Sequence, residues 1–254
     1  MLLNRHFVPL KPHLFNDFPC PECGVREPRP VKAMVLGNQN AAEYRCDACG
    51  LAFVRDLPVG FTIDLPLAWR KSDKHPYHPP NLTAENWPSF PDYQVPCKER
   101  YNARRKVFKE CKRIVILNTI DYLYGHVLLK LLNAQYYIDE QPDVGLVVMV
   151  PAMFEWLVPE GVAETWVFDI TLKQAWGWNE GIDAFVHEQW DRYDEIYMAP
   201  GYSHPAFTRI DIERFSRVRP FPLADYALAP PSITFVTRQD RLCYASPITK
   251  FIHR

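Results

Sequence analysis

Glycine is scarce in this chain, 10 of 254 residues against 24 prolines. So few glycines leave little room for loops that wrap backbone around phosphate, and neither a GxGxxG nor a GxxxxGK[ST] string occurs. A dominant charge is missing too. The formal net charge is −1, so no global field draws the chain to nucleic acid or to an anionic membrane. No apolar run approaches the length of a membrane span, and the opening residues MLLNRHFVPLKPHLF lack the continuous apolar core of a secretory signal. The sequence therefore predicts a cytoplasmic protein in reducing surroundings, and the Asn81-Leu82-Thr83 sequon carries no weight there. Its seven cysteines (20, 23, 46, 49, 97, 111 and 243) are expected as metal ligands or buried thiols, not disulfides. A hydrophobic fraction of 48% with 23% charged residues supplies a core of ordinary size.

Four of those cysteines are paired. Cys20-Pro-Glu-Cys23 and Cys46-Asp-Ala-Cys49 are each followed by glycine, with 22 residues between the pairs. Each CxxC makes a tight knuckle, and four thiolates suit tetrahedral zinc in a closed shell with no open position for chemistry. The residues between and after them, Val31–Val35, Glu43–Arg45 and Leu51–Val54, read as three short strands of a zinc ribbon. Iron–sulfur binding is the rival use of such cysteines. A redox dithiol would need one CxxC at a helix start on a thioredoxin-like fold, which this sequence does not offer. Arg26, Arg29, Lys32, Arg45 and Arg55 are balanced by Glu22, Glu27, Glu43, Asp47 and Asp56. Protein docking or stapling is therefore expected of the ribbon, and nucleic-acid binding is not.

From Asp56 to Val95 proline recurs every few residues, yet Phe61, Trp69, Tyr77, Trp87, Phe90 and Tyr93 make the stretch too apolar for a disordered linker. It is expected as an extended arm pinned by its aromatics. His75 and His78 flank Tyr77 without a third ligand nearby and read as surface histidines. Cys97–Lys112 is predicted as a helix with a basic face.

The chain then changes character. Ile114–Leu117 is β-branched and apolar, Asn118-Thr119 breaks the run, and Leu123, Val127, Leu128, Leu131 and Leu132 recur at helical spacing. That is a buried strand, a turn and a helix packing back on a sheet. Further strands are expected at Gly145–Val150, Thr165–Phe168 and Glu195–Met198, with helices at Ala152–Val158, Asn179–Tyr193 and Thr208–Phe215. Alternation at this spacing indicates a mostly parallel, Rossmann-like α/β sheet with helices on both faces. Ligands in such sheets bind at the carboxyl edge, where Asp121, Tyr122, Tyr124 and His126 follow the first strand.

The order of parts, with Gly125–Leu129 on the first helix, the words Leu157–Asp169 and the strand Ser232–Thr237 leading to Arg238 and Arg241, resembles the GT-B glycosyltransferases. The likeness is to the heptosyltransferase-type family and covers roughly 113–241. It implies an N-terminal acceptor domain, a C-terminal nucleotide-sugar domain and inverting transfer without a metal, in keeping with the lack of a DxD. The family's turn aspartate, its proposed base, falls on His126, and this is a departure. Either His126 or Asp121 would serve as the base, Arg238 and Arg241 would bind the donor diphosphate, and Tyr124, Tyr202 and His204 would line the acceptor cleft. In this reading residues 1–55 form the ribbon, 56–112 the arm and basic helix, and 113–220 the GT-B N-terminal domain. Residues 221–254 form a linker and the start of a second domain that the chain leaves incomplete, so this length alone is expected to be inactive. The alternative is a non-catalytic adaptor that docks other proteins through the ribbon.

Overall fold

A computed structural model describes residues 6–63, 66–77, 96–97, 101–202, 205–216 and 224. The protein is mixed α/β, and its described residues form a six-stranded sheet, a five-stranded sheet and a two-stranded pair. In chain order the strands are β1 (Val8–Lys11), β2 (Arg29–Val35), β3 (Asn40–Arg45), β4 (Ala52–Asp56), β5 (Ala68–Arg70), β6 (Pro76–Tyr77) and β7 (Pro96–Cys97). There follow β8 (Ala103–Val107), β9 (Arg113–Asn118), β10 (Gly145–Pro151), β11 (Glu164–Phe168), β12 (Trp178–Asn179) and β13 (Glu195–Met198). The helices are α1 (Tyr124–Leu131), α2 (Ala134–Glu140), α3 (Glu180–Glu188) and α4 (Ile212–Ser216).

The larger sheet has the order β1-β13-β9-β10-β11-β8. Its inner four strands are parallel, because each apolar run is followed by a crossover that returns the chain to the same end. Its edges are antiparallel: β1 pairs with β13 and β8 with β11. The sheet is thus mixed. β9 and β10 are buried almost throughout, as continuous apolar runs in a sheet covered on both faces must be.

Each face has its own cover. On one side α1 and α2 place Val127, Leu131, Ala134 and Tyr137 against Val115, Leu117, Val148 and Val150. On the other side α3 supplies Ile182 and Val186, and the second sheet, β2-β3-β4-β5-β6, supplies Val35, Ala42, Tyr44 and Phe53. These pack with Ile114, Ile116, Met149 and Trp166 in one continuous core. The cysteine-bearing sheet therefore takes the position that helices alone were expected to fill. Asp183 ties the layers together, accepting from Val35 N–H at 2.8 Å and from Lys32 Nζ at 2.8 Å.

Several sequence expectations are corrected. The predicted basic helix Cys97–Lys112 contains strands instead: β7 pairs with β12, and β8 lies antiparallel on β11. Lys and Arg tolerate either conformation, so the few apolar residues there did not fix the period, and the open edge of β11 decided it. The predicted helix Asn179–Tyr193 is shorter. Asn179 is its N-cap, its side chain accepting from Ile182 N–H, and the α-helix stops at Glu188 before a 3-10 turn over Trp190–Arg192. Over Thr208–Phe215 a 3-10 turn, Phe207–Arg209, precedes the short α4. The early part of the proline-rich arm supplies β5 and β6, which extend the second sheet. Residues 78–95 lie outside the described residues.

Candidate metal centre and histidine–aspartate site

The two knuckles are built alike. Cys20 N–H donates to Val25 O and Gly24 N–H to Cys20 O, while Cys46 N–H donates to Leu51 O and Gly50 N–H to Cys46 O. Gly24 and Gly50 have φ of 74° and 75°, a left-handed conformation that glycine adopts without a Cβ clash. The turns bring Cys20 Sγ to 3.8 Å from Cys49 Sγ and Cys23 Sγ to 3.5 Å from Cys46 Sγ, and all four sulfurs lie within 4.8 Å of one another. A tetrahedron of sulfurs ~2.3 Å from a central ion has edges of about 3.8 Å, so the four are spaced as metal ligands. None is in a disulfide. Burial pushes the Cys20 thiol up to about 12, whereas backbone N–H groups of Cys49 and Ala48 hold Cys46 down at about 7. A bound cation would offset the cost of the buried thiolate.

The second constellation follows β9. Asp121 is fully buried and its Oδ1 accepts from Leu123 N–H at 2.9 Å, which fixes the turn into α1. His126 Nδ1 lies 3.5 Å from Asp121 Oδ1, with the ring side chain 20% exposed. Nδ1 itself is buried, so the exposed part of the ring is away from the carboxylate. Asp121 Oδ2 accepts from Lys130 Nζ at 2.8 Å, and both side chains are buried. Burial alone would raise the Asp121 carboxyl. The Lys130 ammonium, His126 and the Leu123 N–H together outweigh it and hold the group below the ordinary carboxylate range.

Lys130 was not anticipated as part of this site. The signal was present, because Lys130 falls between Val127 and Leu131 on the face of α1 that turns inward. A lysine on a buried stripe requires a counter-charge.

Of the other residues singled out, Tyr124 is exposed with its ring 4.9 Å from Phe154. Tyr202 is half-buried and its carbonyl accepts from Asn133 Nδ2 at 2.8 Å. Tyr124 and His126 share the first turn of α1. His204, Arg238 and Arg241 lie outside the described residues. His75 packs edge-on against Tyr77 at 5.4 Å.

The carboxyl end between β9 and β13, where the direction of strand succession reverses, is filled from the second sheet. Asn118 Nδ2 donates to Gly37 O at 2.7 Å and to Asn40 Oδ1 at 2.9 Å. Gly60 N–H donates to Pro200 O at 2.6 Å beside them. A more open groove of about 710 Å³ lies on the outer side of β2–β4, between Met34, Leu36 and Val54 on its floor and Lys71, Lys74, Trp178 and Asp183 on its walls. Comparison with family models, with curated proteins and with solved structures returns no match.

Proposed function

We propose that the chain carries the acceptor-binding half of an inverting, metal-independent glycosyltransferase of the GT-B type, with a Rossmann-like body. His126 is the base and Asp121 holds its ring. The observation that supports this is the His126–Asp121 pair itself, 3.5 Å apart after the first parallel strand, with the histidine still reaching solvent. The parallel order β13-β9-β10-β11, with its change of direction at β9, also supports the reading. In the reaction, the imidazole takes the proton of an acceptor hydroxyl as its oxygen bonds to the anomeric carbon, and the nucleotide diphosphate leaves with the bonding pair. Arg238 and Arg241 would face that diphosphate, and Tyr124, Tyr202 and His204 the acceptor. The ion held by Cys20, Cys23, Cys46 and Cys49 is zinc in this reading, structural only, since a four-thiolate shell leaves no open position. Four cysteines outside any disulfide suit a reducing, cytoplasmic setting.

The test is donor binding and transfer by the gene-length protein and by His126→Ala across a panel of nucleotide sugars. Transfer should fall by about 10²–10⁴-fold with donor binding kept. A gene-length protein that binds no donor, or a variant that transfers within a few-fold of the parent, refutes the reading.

One observation favours a second reading, a non-catalytic adaptor. The crevice where open α/β sheets take ligands is closed by Gly37 and Asn40 on Asn118, while the open groove lies on the cysteine-bearing sheet. Partner capture lost on Lys74→Glu and Trp178→Ala but indifferent to His126→Ala would favour it.

A further inference from the structure

The chain is nearly neutral as a whole, but its charge is not evenly spread. Residues 104–113 contain Arg104, Arg105, Lys106, Lys109, Lys112 and Arg113 against the single acid Glu110, a local balance of +5 (six minus one). This stretch is β8, an edge strand, and its continuation toward β9. Basic residues on an edge strand commonly serve to block further pairing. That function does not account for the apolar side chains beside them.

Phe108 is 64% exposed, Trp156 64% and Met153 51%. With Val107 they make up four of the eight large apolar side chains exposed among the described residues. Val107, opposite Glu164, faces the other side of the sheet, and the remaining three lie toward one flank. Arg104 lies opposite Val167 and Lys106 opposite Thr165, so these two basic side chains share the face on which Val167 packs with Phe154 and Leu157. Phe108, just past the end of β8, donates its N–H to Ala163 O at 2.8 Å. The 3-10 turn Ala152–Leu157 runs along the same face, buries Phe154 and Leu157, and turns Met153 and Trp156, three residues apart, outward. Glu155 joins the two elements through ion pairs with Arg104 and with Lys106 at 2.6 Å. Arg105 donates to Gln189 Oε1 at 2.7 Å, Lys112 to Arg192 O at 3.2 Å, and Arg113 pairs with Glu195, all away from this flank. Arg104, Lys106 and Lys109 against Glu155 and Glu110 still leave it a positive excess, three minus two.

We infer that this flank is a peripheral binding surface for an anionic lipid bilayer, with Phe108, Met153 and Trp156 entering the interface and Arg104, Lys106 and Lys109 facing the headgroups. The flank is a strand edge and a protruding 3-10 turn, a shape that meets a plane. Its indole, phenyl and thioether groups sit among cations with long apolar stems. That combination suits an interface apolar on one side and negatively charged on the other. No helix among the described residues is long and apolar enough to cross a membrane, so attachment through this surface would be reversible. The inference does not depend on the sugar-transfer reading.

The test is sedimentation of the full chain with vesicles of phosphatidylcholine alone and of phosphatidylcholine containing about a third phosphatidylglycerol, with a bromolipid arm to quench tryptophans at the interface. Binding is expected on the anionic vesicles only, weakened by salt. Phe108→Ser with Trp156→Ser should lower it by tenfold or more, and Lys109→Gln by about fivefold. All three positions are exposed, so circular dichroism should show the fold unchanged. Equal binding to neutral vesicles, no binding to either, or variants that bind like the parent would overturn the inference. So would retention on DNA or on polyglutamate by a protein that ignores both vesicles.

Discussion

Replacing Lys130 by methionine tests the energetics of the Asp121 cluster without reference to any reaction. Methionine keeps most of the apolar stem and removes the ammonium. What remains is a carboxylate at zero exposure that has lost its 2.8 Å ion-pair partner. Breaking a buried pair by deleting one partner costs about 3–5 kcal/mol, mostly from the charge left behind. A domain is typically stable by about 5–15 kcal/mol, so the loss would be a large fraction of the total. Asp121→Asn should cost a comparable amount by stranding the ammonium, although an amide oxygen can still accept from Leu123 N–H. The double variant strands neither charge. It should therefore cost less than the sum of the single changes, by about 2 kcal/mol or more. Urea unfolding at pH 7 followed by far-ultraviolet circular dichroism measures all three. The pH dependence has a definite sign. The Asp121 carboxyl is held below its ordinary value, so its contribution is present above the unfolded value near ~3.9 and is lost as pH falls through the lower folded value. The gap between parent and Asp121→Asn should close only in acid. A Lys130→Met variant within about 1 kcal/mol of the parent, or strict additivity, would refute the reasoning.

Three further outcomes are expected. Burial pushes the Asp56 carboxyl up to about 7, against the opposing pull of the Leu67 N–H at 3.2 Å. Its contribution is therefore present below the unfolded value near ~3.9 and is lost as pH rises through about 7. Asp56→Asn should accordingly stabilise the protein at pH 8 by on the order of 2–4 kcal/mol relative to its effect at pH 4, and equal effects at both would sink this. Cys46→Ser, or strong chelation, should release about one metal ion per chain and unfold both sheets in one transition, because Tyr44 and Phe53 share a core with Trp166. Elemental analysis with calorimetry decides it, and a chain that melts unchanged without metal would contradict the argument. Gly145→Ala would place a Cβ 2.7 Å from Cys111 Cβ and Sγ and 3.2 Å from Ala163 Cβ. It should cost about 1–3 kcal/mol in denaturant midpoint experiments, and a neutral result would mean that β10 can shift away from Cys111.

The sequence by itself determined the local elements whose signals are short-ranged. The CxxC pairs with their glycines specify two knuckles wherever they are placed. The short, β-branched runs at 114–117 and 145–150 read as strands buried on both faces, and the stripe Val127–Leu131 as a helix lying on them, which is what they form. The proximity of His126 to Asp121 was also legible, because five residues across a turn into a helix bring two side chains together.

Tertiary structure decided the rest, since those outcomes depend on partners far away in the chain. β8 is a strand because β11 offers an edge, whereas its own residues permit a helix equally well. Lys130 reads as one more helical lysine until Asp121 is found under it. The largest surprise is the place of the cysteine-bearing sheet, which packs as a covering layer where separation as a module was expected. Nothing in residues 29–56 states which face of which sheet Ala33, Val35, Tyr44 and Phe53 will cover. Alternation shows that they share a face, and only the exposed apolar surface of β9, β10 and β11, assembled from residues more than sixty positions away, shows what that face is for.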